Sequence, residues 1–177
     1  MVNQEILISY KEIINKYYNL DEEIKCILAK LYGENINCVD KNFNISKVIA
    51  VDENLIEKKI KDERLNDFIG KAGVYIFLDN KMNPVYIGYS STIRQRLGYQ
   101  LKGLTHGVST LLKNIKTIEK LFDKNLKFEG KSIKDIFNEY ISFLIVIDYG
   151  KKDEENVKLA KSLETILISL FNSKYNL

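Results

Sequence analysis

A chain of 177 residues, 45% hydrophobic and 29% charged, has the composition of a packed globular protein, which excludes a largely disordered one. The net charge of +3 is too small to demonstrate a polyanionic partner, and no apolar run is long enough to span a membrane. The charge is unevenly placed. Residues 1–70 hold 10 Lys and Arg against 13 Asp and Glu, a net of −3, whereas residues 71–177 hold 17 against 11, a net of +6. A cationic face in the second half would attract phosphates through counterion release, with a lysine-rich solvated surface as the bland alternative. Cys26 and Cys38 have no nearby histidine, so neither a zinc spacing nor a disulfide framework emerges. Met1-Val2-Asn3-Gln4-Glu5 does not open a signal peptide, and a reducing cytoplasm is the expected compartment.

The chain starts helical. Ile6, Leu7, Tyr10, Ile13, Ile14 and Tyr17 recur at helical spacing. Leu20-Asp21-Glu22-Glu23 then caps a second helix that buries Ile24, Ile27, Leu28 and Leu31 and stops at Gly33. An Asn-rich loop covers residues 34–50, with a short strand expected at Lys47–Val51. Leu55, Ile56, Ile60, Leu65 and Phe68 predict one helix over 53–69, ending at Gly70. At residue 72 the period changes. Ala72–Asp79 and Pro84–Gly88 predict a β-hairpin, with the single proline starting the second strand, where its missing N–H is tolerated. Ser90 or Ser91 caps a helix reaching about Gln100. Further helices are expected over Val108–Phe122, Lys131–Asn138 and Asp153–Phe171. The apolar run Ile141–Ile147 reads as a buried strand. The expected fold is α/β, of α+β type: a small three-stranded antiparallel sheet flanked by helices in residues 71–177, preceded by a helical extension over residues 1–70.

Several side chains carry chemistry. Tyr75 and Tyr86 lie on the paired strands, and each hairpin end has a glycine, Gly73 and Gly88, that leaves room beside the rings for a backbone such as nucleic acid. A phenol can hydrogen-bond a water and give up its proton near a cation. Arg96 and Arg94 follow on a helix, two residues apart and so on different faces. If Arg96 faces the tyrosines, Arg94 points to solvent or to a substrate backbone. Arginine's planar fork suits phosphoryl oxygens. Glu164 sits among Ala160, Leu167, Ile168 and Phe171 on one side of a mostly apolar helix, where a carboxylate must be paired or ligate a metal. A structural pair with Arg or Lys is the ordinary alternative. His106 is the only histidine, in a glycine-flanked loop, and Asn176 stands beside Lys174-Tyr175.

Gly73-Val74-Tyr75, Tyr86-Ile87-Gly88, Arg96, Glu164 and Asn176, in this order, resemble the GIY-YIG nuclease family over residues 71–177. His106, in His-x-x-Ser-x-Leu, is similar to a histidine of homing-type members. There are departures. Gln100 stands four residues after Arg96, where many members carry His or Tyr, leaving His106 or Tyr99 as substitutes. Tyr89 stands where some members have lysine, and residues 120–140 read as an insertion.

The resemblance implies a metal-dependent DNA endonuclease that hydrolyses phosphodiesters, of a stand-alone restriction-like or mobile-element kind. It implies one Mg2+ or Mn2+ per site held by Glu164, with Tyr75 or Tyr86 taking the proton of the attacking water. Arg96 would stabilise phosphate charge, His106 would assist and Asn176 would support the site. Gly73, Gly88 and Arg94 would meet substrate. One site per chain implies a homodimer or sequential nicking of duplex DNA. The competing readings are a non-catalytic nucleic-acid-binding or regulatory protein on the same scaffold, kept open by Gln100, and a protein-interaction module built on residues 1–70.

Overall fold

A computed structural model describes residues 22–31, 43–102, 110–122, 128 and 130–176. The helix expected over residues 6–17 and the stop at Gly33 lie outside them. The chain divides into two compact units, Met1–Ile45 and Ser46–Leu177.

In the first unit, α1 (Glu22–Leu31) buries Ile24, Ile27 and Leu28 at the i, i+3, i+4 spacing read from the sequence. Cys26 on this helix is buried and disulfide-bonded. No disulfide framework emerges from the sequence, because two cysteines carry no spacing signature. A two-residue strand, β1 (Asn44–Ile45), closes the unit.

The second unit begins just before a short strand, β2 (Ile49–Ala50), so residues 46–70 pack in the same unit as the hairpin. The single helix expected over 53–69 is instead three pieces: α2 (Glu53–Lys58) and two 3-10 turns, Lys59–Lys61 and Glu63–Phe68. The cause is local. Lys59 takes φ 55°, which no α-helix continues, and Asp62 then starts a new turn by accepting from the Arg64 N–H at 3.0 Å. Asp52 caps α2 in the same way, accepting from the Leu55 N–H at 2.8 Å. The Arg64 guanidinium bonds both cap carboxylates, at 2.8–2.9 Å. Those hydrogen bonds hold the Asp52 carboxyl at about 2 and Asp62 below the usual carboxylate range.

A depressed carboxyl stabilises the fold above its unfolded pKa, and that stability is lost as pH falls through the folded value. Denaturant unfolding at stepped pH should therefore show a decline between pH about 4 and about 2. Arg64→Met should flatten the slope in that window, and an unchanged slope would contradict this account of the caps.

The fold is mixed helix and sheet, and the sheet is open and antiparallel, with more strands than the three expected: β2, too short to show a period of two, joins the long ones. Its long strands are β3 (Lys71–Leu78), β4 (Pro84–Ser90) and β5 (Phe143–Lys151). β3 is central, pairing β4 on one side and β5 on the other, and β2 pairs β5 through Ile49↔Leu144 and Ala50↔Phe143. The hairpin turn is held by Asp79, whose carboxylate accepts from Lys81 N, Asn83 N and Asn83 Nδ2. Alternation along β3 splits the core. Tyr75 and Phe77 share a cluster with Tyr86, Val146 and the apolar sides of α3 (Ile93–Lys102), α4 (Thr110–Phe122) and α5 (Ile133–Tyr140). Val74 and Ile76 are buried on the opposite face. The long helix α6 (Glu154–Phe171) packs on β3, β4 and β5, burying Ala160, Leu163 and Leu167. Asp153 caps its start, and Asn172 ends it in the left-handed conformation. No helix among the described residues is long and apolar enough to cross a membrane.

Candidate active site

The strand register places the two tyrosines diagonally: Tyr75 is opposite Gly88, and Phe77 is opposite Tyr86. Their ring centroids lie 6.2 Å apart with planes tilted by 32°. On α3, Arg96 and Gln100 are four residues apart and so share one face. Both reach the same atom. Arg96 Nε donates to Tyr75 Oη at 3.3 Å and Gln100 Nε2 donates to it at 3.1 Å. Gln100 is 1% exposed. Burial, and Tyr75 beside it, push the Tyr86 phenol well above its ordinary value, against the pull of Arg96. Burial opposes charge on Arg96, yet the hydroxyls of Tyr75 and Tyr86 more than offset it and leave its pKa raised.

The glycines work differently from the expectation that they open the site to substrate. A Cβ on Gly88 would land on the Tyr75 hydroxyl, 2.5 Å from Cζ. A Cβ on Gly73 would land on the Ile147 carbonyl oxygen, 2.8 Å from Ile93 Cδ1 and 2.9 Å from Asp148 Cα. The room at both positions is filled by the protein itself. Gly88 lets Tyr75 lie flat across β4, and Gly73 lets β5 and α3 approach β3.

The outer edge of β4 completes the site. Its polar groups at Val85, Ile87 and Tyr89 would otherwise be left without strand partners. The turn after α6 supplies them. Tyr175 N donates to Val85 O at 2.8 Å. The Asn176 side chain accepts from Ile87 N at 2.8 Å and donates to Ile87 O at 2.6 Å, acting as a substitute strand residue. Glu164 takes the last position, its Oε1 accepting from Tyr89 N at 3.0 Å. The turn is fixed from behind by α4, where Asn114 Nδ2 donates to Tyr175 O and Tyr175 Oη donates to Glu119.

Glu164 is half-buried, and burial raises its carboxyl. The Tyr89 N–H, Arg96 and Lys161 pull it back. The structural ion pair weighed for it is not what holds it: among the described residues no Lys or Arg nitrogen lies within 4.0 Å. One oxygen is occupied by Tyr89, and the charge of Arg96 acts on the carboxylate. A single carboxylate with a free oxygen suits Mg2+, which keeps several waters and takes the rest of its shell from phosphate. Among the described residues no three His, Cys, Asp or Glu side chains gather into a fuller cage.

Tyr75, Tyr86, Arg96 and Glu164 thus gather around one region, and Asn176 braces it from the strand edge. Arg94 does not join them. Its Nη2 donates to Asn66 at 3.0 Å, and its Nε is buried without a partner among the described residues. Tyr99 points into solvent, so it is Gln100 and not Tyr99 that stands against Tyr75. His106 lies outside the described residues. In the sequence Gln100 shows only as a departure from the pattern of the resembled family. Its spacing from Arg96 was the signal that it shares the arginine's target. Comparison with protein-family models, curated proteins and solved structures found no match.

Proposed function

We propose that the chain is a metal-dependent DNA endonuclease of GIY-YIG type, hydrolysing phosphodiester bonds in a restriction-like or mobile-element setting and acting as a homodimer where duplex is cut. The observation that carries this reading is the convergence of two phenols, a guanidinium and an unpaired carboxylate from four separate elements. Glu164 would hold one Mg2+ or Mn2+ through the oxygen not used by Tyr89. The bound ion would supply Lewis-acid polarisation of phosphate and leaving-group oxygens. Two N–H donors, one of them cationic, converge on Tyr75 Oη, which is the arrangement that steadies charge developing on an oxygen. With its own proton released to solvent, the Tyr75 oxygen would carry the charge those donors steady, and it is assigned to take the proton of the attacking water. Tyr86, which burial and Tyr75 keep protonated, orients that water. Arg96 holds Tyr75 with Nε and offers its charge to the phosphate.

Tyr75→Phe tests the assignment. A general base contributes about 10²–10⁴-fold, so cleavage should fall by that order while DNA affinity changes by less than about threefold. A melt checks that removing the hydroxyl to which Arg96 and Gln100 donate has not unfolded the variant. Cleavage within a few-fold of wild type would remove Tyr75 from the chemistry. Salt-dependent binding by the wild type without any cutting would favour the non-catalytic scaffold.

A further inference from the structure

Glu164 reaches the edge of β4 from α6, and the only two lysines of that helix, Lys158 and Lys161, lie on the same side of it. Lys161 comes three residues before Glu164, about 4.5 Å back along the axis and roughly 60° around it, so the two side chains are neighbours on the helix surface. Lys158 lies another three residues back and roughly 60° further round, away from the core. The two lysines are differently engaged. Lys158 pairs Glu154 at 2.7 Å. Lys161 is exposed and makes no ion pair among the described residues.

The charge of Lys161 nonetheless bears on the site. Burial raises the Glu164 carboxyl, and after the Tyr89 N–H it is Arg96 and Lys161 that pull it back. One of these cations comes from α3 and the other from α6. Arg96 is committed to Tyr75 through Nε at 3.3 Å, whereas no carboxylate among the described residues holds the Lys161 ammonium. A phosphate seated at Glu164 brings its neighbours on the strand with it, each carrying a negative charge. An ammonium on a flexible stem meets such a phosphate as a point charge and fixes the strand without reading its bases.

Resting on the nuclease reading above, we propose that Lys161 forms a subsite for the DNA phosphate next to the cleaved one. The substrate class is then a polynucleotide with a charged phosphate beside the cut, and neutralising that one phosphate makes it a poorer substrate.

The test scans a DNA duplex with a neutral methylphosphonate at one phosphate at a time. Cleavage is read as kcat/KM in Mg2+, and binding is read separately by anisotropy in EDTA across a salt series. The wild type should lose about fivefold at one position beside the cut, the worth of an exposed ion contact. Lys161→Ala should lose about as much on unmodified DNA and nothing further at that position, because the two changes remove the same contact. Lys161→Arg should behave as wild type. Lys161→Ala should also flatten the binding slope against salt by about 0.9, the share of one phosphate. Lys158→Ala removes the lysine already held by Glu154 and should keep the methylphosphonate loss. Losses from Lys161→Ala and the methylphosphonate that multiply at every position would overturn the subsite, as would a Lys161→Ala salt slope equal to wild type. Either result in a protein that still cuts leaves the nuclease reading standing. A flattened slope in a protein that cuts none of the DNAs would support the phosphate contact and count against the nuclease.

Discussion

Glu164→Gln should abolish magnesium-dependent cleavage, by about 10³-fold or more, and leave the thermal midpoint within about 4 °C of wild type. The two results separate the residue's two roles. A glutamine oxygen can still accept the Tyr89 N–H that Glu164 Oε1 accepts at 3.0 Å, so the strand edge stays satisfied. What disappears is the negative charge that a divalent ion needs. The variant also loses the cost of a carboxylate whose pKa burial has raised, which again argues against destabilisation. Glu164→Ala behaves differently: it removes the charge and also strands the Tyr89 N–H, costing about 1–3 kcal/mol. Paired cleavage rates and calorimetric melts distinguish the two variants. A Glu164→Gln protein that cuts at the wild-type rate would remove Glu164 from the chemistry.

Gly73→Ala should be the most destabilising single methyl in the hairpin, with a loss of about 3 kcal/mol or more. The methyl would strike the Ile147 carbonyl oxygen and Asp148 Cα. These are backbone atoms of the partner strand and cannot rotate aside, so the β3–β5 ladder must open where Gly73 pairs Asp148. Gly88→Ala makes a telling contrast. Its methyl meets the end of the Tyr75 side chain, which can swing. That variant should keep more stability and lose more activity, because the swing takes Tyr75 Oη away from Arg96 and Gln100. Denaturant midpoints beside cleavage rates test the pair. Wild-type stability in Gly73→Ala would mean that the close β3–β5 approach is not needed.

Much of the fold can be read in the sequence because its signals are local. The hairpin shows as a change to period two around an Asp-Asn turn, and the structure places it at Lys71–Leu78 and Pro84–Ser90. The buried strand shows as an apolar run, and α6 shows from about Asp153, which the structure makes its cap. The broken segment after Asp52 does not show. Leu55, Ile56, Ile60, Leu65 and Phe68 fit one helix as well as they fit a turn of α-helix followed by two 3-10 turns. What decides between them is Arg64, which holds Asp62 and reaches back 12 residues to Asp52. The start of the second unit at Ser46 is also silent, because no proline- or glycine-rich linker marks it.

In the site, Tyr75, Tyr86, Arg96 and Glu164 stand out because each residue type has an evident use and they follow a recognisable order. The partners that set their geometry do not stand out. A glycine in a strand says that something approaches closely without saying what, and here Gly88 receives the protein's own Tyr75. Gln100 and Asn176 act on partners 25 and 89 residues away in sequence, through hydrogen bonds that no local pattern encodes.

The measurement that bears most directly on the account is incubation of purified wild-type protein with plasmid, single-stranded and branched DNA, with magnesium and with EDTA. The account predicts strand scission in magnesium that EDTA stops. A well-folded wild type that leaves all three DNAs intact in magnesium would contradict it.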